Sequence, residues 1–343
     1  MSGFATFRVP DRVTGTAVDE ALGRAMTSAW QRDGIFQVAV DAGQRVRTRD
    51  ALAASRRFFA RPLAEKAACV NDTSYSGYVA SGEEVTAGER DASEIFTVTP
   101  DLPSGSGLPC HGPVPWPDSG YRAAMEAYLA GVGALGERLL RLVALGLGPG
   151  FGLERAGIDR LAGPTRGGWH HMRVLRFPAA SRTTERGIGA HTDYGLLVIA
   201  AQDEVGGLFV RPPFAGERRP RNWLPDESSA GFAEDSPGWR YVTPVPAVLT
   251  VFPGDILQFL TGGALLSTPH KVRLADRERH TLAYFHEPRF DARLRPLRPG
   301  PGDDSEIHYG EHFTRMFMRC YPRRATTRRI EAEGLLPRLG AVR

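Results

Sequence analysis

The sequence predicts a mainly β fold, an antiparallel sandwich or jelly roll with flanking helices, on three observations. After about residue 166, short apolar or alternating runs recur between Gly, Pro and Asp residues, as is typical of antiparallel strands. Strand and helix patterns do not alternate there, which disfavours a parallel sheet. The first third of the chain instead combines helical periodicity with short strands. We therefore expect helices beside a β-rich core.

The helical patterns have recognisable ends. Asp33 and Gly34 end the first helix, and Arg61-Pro62 stops the second, because proline lacks the amide hydrogen that a helix needs. The third pattern is long, amphipathic, and ended by Gly and Pro residues. The predicted helices cover residues 18–32, 49–60 and 121–147, and a predicted strand covers 35–40.

Eight runs carry the strand signal of the β-rich region: 170–177, 191–200, 207–212, 239–244, 247–253, 255–260, 265–274 and 279–287. Between two of them lies a polar segment, 214–238, whose length is typical of a lid or an inserted surface loop. Three regions are expected: a mixed helical region over 1–165, the jelly-roll core over 166–290, and a C-terminal helical segment over 291–343 that packs on the core.

Composition excludes several classes of protein. With 42% hydrophobic and 24% charged residues among 343, the chain has the balance of a soluble globular protein. It has no apolar run of about 18 residues, and its first residues lack the basic and apolar pattern of a secretory leader, so we expect a cytoplasmic protein without a membrane partner. Its formal charge of +4 comes from interspersed arginines and acids, which disfavours a nucleic-acid partner. Nothing indicates an obligate oligomer, so a monomer is expected.

The cysteines predict no metal site of their own. Cys69, Cys110 and Cys320 form an odd set without C-x-x-C spacing, which is typical of reduced, isolated thiols. A thiolate-bound zinc site is therefore disfavoured.

One of the nine histidines, His191, begins an H-x-D triplet with Asp193. On a strand, residues i and i+2 point to the same face, so this imidazole and carboxylate would lie side by side. They would form two corners of a facial triad of two histidines and one carboxylate, which binds iron(II) and leaves positions open.

His270 is the best candidate for the third ligand. Arg279 follows nine residues later, and residues 275–278 between them are typical of a hairpin turn. If that loop has an even number of residues, antiparallel pairing puts His270, Arg279 and Thr281 on one face; an odd number separates them. A metal with open positions beside a guanidinium suits an oxo acid, which chelates the metal and presents its far carboxylate to the arginine.

This H-x-D, His and R-x-T constellation resembles that of the iron(II)/2-oxoglutarate dioxygenases of the isopenicillin N synthase-like group. The resemblance implies a distorted double-stranded β-helix with a helical N-terminal part and a C-terminal helix. It implies iron(II) held by His191, Asp193 and His270. It also implies 2-oxoglutarate as cosubstrate, bound by Arg279 and approached by Arg173. The segments that carry the resemblance are 29–38, 56–67, 206–213 and 251–263.

Four further segments, 74–88, 169–178, 187–203 and 308–322, resemble the ethylene- and succinate-forming branch of this family. That branch implies conversion of 2-oxoglutarate and O2 to ethylene and CO2. It implies a parallel reaction that forms succinate and hydroxylates L-arginine, giving guanidine and pyrroline-5-carboxylate. By matching motifs, the residues around L-arginine are Glu84, Thr86, Tyr194, Arg319, Cys320 and Tyr321.

Apolar residues on alternate strand positions are candidates for the walls of the cosubstrate site, although for most of them a place in the ordinary jelly-roll core is the favoured interpretation. They are Leu175, Phe177, Val198, Ala200, Leu208, Phe252, Ala283 and Phe285, with Phe177 and Phe285 counted among the 2-oxoglutarate-binding residues. His280 and His286 are expected to be packing or surface residues.

Two alternatives stay open. The first is a 2-oxoglutarate-dependent hydroxylase or oxidative cyclase of another small molecule. The second is a metal-free jelly-roll binding protein, against which the complete set of His191, Asp193, His270 and Arg279 argues. The sequence does not predict the partition between ethylene and succinate, the contacts of Thr281 or the role of segment 214–238.

Overall fold

The computed structural model describes residues 3–103, 105, 107–151, 158–181 and 184–341. Among these residues the helices are α1 (Ala17–Asp33), α2 (Ala42–Phe59), α3 (Leu63–Ala67), α4 (Ser119–Leu147), α5 (Ile158–Ala162), α6 (Asp255–Leu260), α7 (Tyr309–Cys320), α8 (Ala325–Ala332) and α9 (Leu335–Ala341). Two short 3-10 turns cover Pro149–Phe151 and Gly163–Thr165. No helix in these ranges is long and apolar enough to cross a membrane.

The strands are β1 (Thr6–Phe7), β2 (Phe36–Ala39), β3 (Gly77–Val79), β4 (Val85–Thr86), β5 (Glu89–Arg90), β6 (Glu94–Val98), β7 (His171–Phe177), β8 (Arg186–His191), β9 (Leu197–Gln202), β10 (Leu208–Val210), β11 (Arg240–Tyr241), β12 (Val248–Pro253), β13 (His270–Arg273), β14 (Arg279–His286), β15 (Arg293–Leu294) and β16 (Ile307–His308). The larger sheet has the order β1-β2-β12-β9-β14-β7-β6-β3, and the smaller one β11-β10-β13-β8. Apart from β1 with β2, neighbouring strands in both sheets pair antiparallel, which confirms the predicted jelly-roll class.

The three longest helices cover one face of the larger sheet. Helices α1 and α4 pack so closely that a Cβ atom on Gly23 would lie 2.1 Å from the Leu142 carbonyl oxygen. Thr16 and Asp19 form a capping box at the start of α1, and Gly34, at φ 75°, ends it in the left-handed region. The apolar core lies between these helices and the sheet, so the other face of the sheet is left for the site.

Helix α2 begins seven positions before the pattern predicted at residue 49. Asp41 accepts a hydrogen bond from the Gln44 amide at 2.7 Å and so caps a first turn that carries few apolar residues. The predicted and observed ends of α1 and α4 differ by two residues or fewer.

The run 255–260 forms a helix, α6, although it was grouped with the strand signals. All six residues are buried, the polar Asp255 and Gln258 among them, so no exposed face distinguishes a helix from a strand in so short a run. The first two amides of α6 donate to the carbonyl oxygens of Asp193 and Gly195, at 2.8 and 2.9 Å. The helix therefore begins against the loop that follows His191.

Two sequence expectations about strand geometry were wrong. Asp193 does not share a strand with His191, because β8 ends at His191 and the chain then crosses to β9 in the larger sheet. Strands β13 and β14 do not form a hairpin either, since β13 belongs to the smaller sheet and β14 to the larger one. The predicted residues meet because the site lies between the sheets.

Candidate functional site

Two histidines and one aspartate converge between the sheets. His191 and His270 are directly opposite each other in the register of β8 and β13. The Nε2 atom of His191 lies 3.9 Å from one oxygen of Asp193, and the Nε2 atom of His270 lies 3.5 Å from the other. One possible ligand atom from each residue lies within 4.8 Å of the other two, so the three side chains are close enough to share one metal ion.

The backbone sets the orientation of both imidazoles. The Nδ1 atom of His191 lies 2.8 Å from the Gly189 carbonyl oxygen, and that of His270 lies 3.0 Å from the Thr268 carbonyl oxygen. A carbonyl oxygen only accepts, so each Nδ1 carries a hydrogen and each ring turns its Nε2 atom toward Asp193. Burial lowers the pKa of His191, which keeps that ring neutral. This donor set fits iron(II).

The loop after His191 is held by groups that the sequence did not indicate. Asp255 accepts from the Thr192 hydroxyl at 2.8 Å, and Glu287 accepts from the Leu196 amide at 2.9 Å. Both carboxyl groups are buried, with exposed fractions of 0% and 1%. Gly195 is required here, because a Cβ atom on it would lie 1.7 Å from a Glu287 oxygen.

A narrow cavity of about 60 Å³ runs between the sheets from this triad to Arg279. All eight of the predicted apolar residues line it, Phe177 and Phe285 among them, together with Ile188, Val272 and Gln202, which were not predicted. Thr281 lines it as well. A cavity with apolar sides and a charged end suits a short, linear anion.

Arg279 closes this cavity with a buried positive charge. Its Nη2 atom donates to Thr281 Oγ1 at 2.6 Å, and its guanidinium lies 4.8 Å from the centre of the Phe177 ring. The Nε and Nη1 atoms are buried and have no hydrogen-bond partner in the described part of the chain. Burial lowers the Arg279 pKa to about 10, which leaves the group charged at neutral pH. Unpaired donors on a buried cation fit the far carboxylate of 2-oxoglutarate.

A wider cavity of about 340 Å³ lies on the other side of the triad. His191, Asp193 and Arg173 line both cavities, so the triad stands at their junction. Five of the six residues predicted around L-arginine line the wider cavity: Glu84, Thr86, Tyr194, Arg319 and Cys320. The sixth, Tyr321, lies behind them, and its hydroxyl donates to Glu84 at 2.9 Å.

Glu84 and Arg173 form a buried ion pair at the junction. The Arg173 Nη2 atom lies 2.5 Å from one Glu84 oxygen, and Tyr321 donates to the other. Burial alone would lower the Arg173 pKa, but Glu84 and Tyr321 outweigh it and raise the pKa above its ordinary value. Arg173, predicted to approach 2-oxoglutarate, thus has its closest contact with the residue predicted to bind the other substrate.

Segment 214–238 forms one wall of the wider cavity. Ser229 lines the cavity and accepts from the Thr192 amide at 3.1 Å. Glu234 accepts from the Ala190 amide and from Lys271, at 3.1 Å for the lysine, so it joins the strands that carry His191 and His270. Arg319 is exposed and donates to the Pro225 carbonyl oxygen at 3.1 Å. The segment is therefore attached to the strands that carry His191 and His270 and to α7.

A second group of possible ligands consists of Glu137, His170 and His286. His170 Nδ1 accepts from the Glu287 amide at 3.0 Å. In the neutral ring the hydrogen therefore lies on Nε2, and neither nitrogen has a lone pair left for a metal ion. His286 lies 3.0 Å from the Tyr284 hydroxyl through Nδ1 and 3.4 Å from Glu137 through Nε2. These contacts account for the histidines as structural residues.

We expect Glu287 to make stability depend on pH. Burial raises its pKa to about 8, so between roughly pH 4.5 and 8 the folded chain keeps a proton that the unfolded chain releases. The free energy of unfolding should therefore fall with rising pH, by up to about 1.4 kcal/mol per unit from this group. Denaturant titrations at several pH values should show a flatter dependence in Glu287→Gln than in the wild type. An unchanged slope would contradict this prediction.

Comparisons with known proteins agree with this geometry. The model of the 2OG-Fe(II) oxygenase superfamily matches residues 169–288, and that of the non-haem dioxygenase in morphine synthesis N-terminal region matches residues 10–119. Among solved structures, a 2OG-Fe(II) oxygenase family protein of Caulobacter crescentus has 19% identity and a TM-score of 0.70, covering 93% of this chain and 99% of that one. This likeness shows the fold.

A much closer relative is the 2-oxoglutarate-dependent ethylene/succinate-forming enzyme of Ralstonia nicotianae. The two sequences are 56% identical, over 99% of this chain and 98% of the relative. The homoarginine-6-hydroxylase 2-ODD-233 of Oryza sativa subsp. japonica is 29% identical over 75% of this chain and 76% of its own length. The chain belongs to the 2OG-Fe(II) oxygenase superfamily, whose members use iron(II) and 2-oxoglutarate.

Proposed function

We propose that this enzyme converts 2-oxoglutarate and O2 to ethylene, CO2 and water. In parallel it forms succinate and CO2 from 2-oxoglutarate while hydroxylating L-arginine. One observation carries the proposal: the triad stands between a cavity that ends in a buried guanidinium and a cavity that holds a buried carboxylate. These charges are complementary to a dicarboxylate and to a guanidino amino acid. The 56% identity to the Ralstonia nicotianae enzyme supports the pair of reactions.

His191, Asp193 and His270 are proposed to hold the iron. When bound, iron(II) supplies the electrons that activate O2 and allow 2-oxoglutarate to be decarboxylated. The protein's part is orientation: hydrogen bonds to Gly189 and Thr268 fix both imidazoles, and the amide of Asp255 fixes the loop at Asp193.

Arg279 would bind the far carboxylate of 2-oxoglutarate through its two unpaired donors. The apolar walls exclude water, which strengthens that ion pair and protects reactive species from side reactions. Thr281 orients the guanidinium through its 2.6 Å hydrogen bond, so its role in the proposal is to position Arg279.

Glu84 would bind the guanidinium of L-arginine beside His191 and Asp193, both of which border the same cavity. Hydroxylation at the carbon next to the guanidino group gives an unstable product. Its carbon–nitrogen bond breaks to release guanidine, and the remaining semialdehyde loses water to close pyrroline-5-carboxylate. Arg173 and Tyr321 hold the Glu84 carboxylate ready for this ligand.

A second candidate is hydroxylation of another guanidino amino acid without ethylene formation. The plant relatives named homoarginine-6-hydroxylase favour it, since homoarginine is a longer guanidino amino acid. Both candidates share Glu84 as the residue that recognises the substrate.

The test is headspace gas analysis of purified protein with iron(II), 2-oxoglutarate, L-arginine and air. We expect ethylene in the gas phase, and succinate, guanidine and pyrroline-5-carboxylate in solution. Succinate with a hydroxylated guanidino product but no ethylene would favour the second candidate. Absence of a metal-to-ligand charge-transfer band on anaerobic addition of iron(II) and 2-oxoglutarate would contradict both.

We propose that the enzyme is a cytoplasmic monomer, and light scattering coupled to size exclusion will measure its mass in solution.

We expect Glu84→Gln to weaken the use of L-arginine more than the binding of 2-oxoglutarate. The amide removes the charge that faces the substrate guanidinium, and loss of such a bond corresponds to a rise in KM of about tenfold or more. The dissociation constant of 2-oxoglutarate, measured anaerobically, should change far less. Glu83→Gln is the matched control, because Glu83 is partly exposed and pairs with Arg324. Equal losses for both substrates in Glu84→Gln would count against the assigned role.

A further inference from the structure

Asp91 is a buried carboxylate next to the wider cavity, and no step of the proposed function uses it. It is 1% exposed and follows β5, at the point where the β4–β5 hairpin meets strand β8. Its own amide donates to the Glu84 carbonyl oxygen at 3.0 Å, so it is attached to the segment that carries the proposed substrate residues.

The two oxygens of Asp91 contact two different parts of the site. Oδ2 accepts from the Thr86 hydroxyl at 2.6 Å, and Oδ1 accepts from the Gly189 amide at 3.1 Å. Gly189 is the residue whose carbonyl oxygen accepts from His191 Nδ1. One side chain thus joins Thr86, in the wider cavity, to the backbone that orients a proposed metal ligand.

Arg186 reinforces this connection. Its Nη2 atom donates to the Thr86 carbonyl oxygen at 2.7 Å and lies 3.5 Å from Asp91 Oδ1. A Cβ atom on Gly189 would lie 2.1 Å from the same guanidinium, so the glycine permits the close approach. The hairpin and β8 are therefore held at a fixed separation.

The hydrogen bond to Asp91 also fixes the direction in which the Thr86 hydroxyl hydrogen points. Burial and the neighbouring charge of Glu84 raise the pKa of Asp91 to about 7. Above that pH the carboxylate is ionised and only accepts, so the Thr86 hydrogen points to Asp91 and the oxygen lone pairs are left for the cavity. Thr86 lines that cavity. Held in this way, the hydroxyl accepts from an N–H group and does not donate to a substrate carboxylate.

We propose that Asp91 is a positioning residue that fixes the Thr86 hydroxyl as an acceptor for a substrate N–H group and holds it at a set distance from His191. The inference rests on the proposed function, since it takes a guanidino amino acid as the occupant of the wider cavity. It explains how a neutral threonine contributes to the recognition of a cation.

The test is Asp91→Asn, which keeps the size of the side chain and its acceptor for Gly189 but can donate to Thr86 and reverse that bond. Above pH 7, where the wild-type Asp91 is ionised, we expect the KM for L-arginine to rise about tenfold. The anaerobic dissociation constant of 2-oxoglutarate should stay within about twofold of the wild-type value, because Arg279 and its cavity are not touched. Glu89→Gln is the matched control, because Glu89 is on the same hairpin, is exposed, and lies 3.5 Å from Arg186. We expect this variant to change neither the KM for L-arginine nor the dissociation constant of 2-oxoglutarate.

A second series keeps Asp91 in place and changes its partner. Thr86→Val should raise the KM for L-arginine as Asp91→Asn does, whereas Thr86→Ser should retain the wild-type KM. The KM of the double variant D91N/T86V should be no higher than that of Thr86→Val alone. Full additivity in the double variant, or equal losses for L-arginine and 2-oxoglutarate in Asp91→Asn, would overturn the inference. A wild-type enzyme whose succinate formation does not respond to L-arginine would overturn the proposed function, and this inference with it.

Discussion

His191→Ala is expected to abolish formation of both ethylene and succinate. The substitution removes one of three donors that converge within 4.8 Å, and the remaining imidazole and carboxylate leave a ligand set too small to hold iron(II) in place. Both products depend on the same metal, so both should fall together below detection. Anaerobic iron(II) titration with 2-oxoglutarate should show no charge-transfer band in this variant.

His280→Ala is the matched control for the loss of a buried histidine. His280 is 2% exposed and lies 3.1 Å from Ser55 and 3.0 Å from Glu278, outside both cavities of the site. This variant should lose stability and keep the charge-transfer band. Turnover retained by His191→Ala would refute the metal assignment.

The residue types of the site could be predicted from the sequence, whereas the path of the chain through it could not. His191, Asp193, His270 and Arg279 do line one cavity, but the strand geometry invoked for them was wrong. Asp193 lies in a loop between the two sheets, and His270 and Arg279 belong to different sheets. Where a chain leaves one sheet for the other depends on packing between distant elements, which period-2 patterns do not encode.

The positioning residues were missed for a related reason. Asp91, Asp255 and Glu287 each contact the segment 189–196 across 63 to 98 positions of sequence. An isolated acid in a sequence is typical of a solvated surface, and the apolar residues beside Asp255 and Glu287 do not show which distant backbone amide or hydroxyl each carboxylate contacts. The apolar walls were easier to predict, because alternation along β7, β9 and β14 directs every second side chain to the same face.

Arg279→Met should weaken the binding of 2-oxoglutarate and stabilise the ligand-free protein. Loss of the charge-assisted bonds to the far carboxylate is expected to raise the dissociation constant at least about 100-fold, or about 2.7 kcal/mol. Without 2-oxoglutarate, the wild-type protein buries a guanidinium whose Nε and Nη1 atoms have no partner in the described ranges. Replacing it by an apolar side chain of similar length removes that cost and should raise the free energy of unfolding by about 1 kcal/mol or more.

Thermal unfolding with and without 2-oxoglutarate separates these two effects. The wild-type Tm should rise with ligand concentration, and the Arg279→Met Tm should start higher and stay constant. Arg176→Met is the matched control, because Arg176 pairs with Glu94 at 2.8 Å and with Glu278 at 2.5 Å and does not line the cavity. It should lower the Tm and preserve the response to 2-oxoglutarate. The two substitutions thus shift the Tm of the ligand-free protein in opposite directions, and only Arg279→Met removes the response to 2-oxoglutarate. An Arg279 variant that was less stable yet still bound 2-oxoglutarate would show that the guanidinium serves packing and not the cosubstrate.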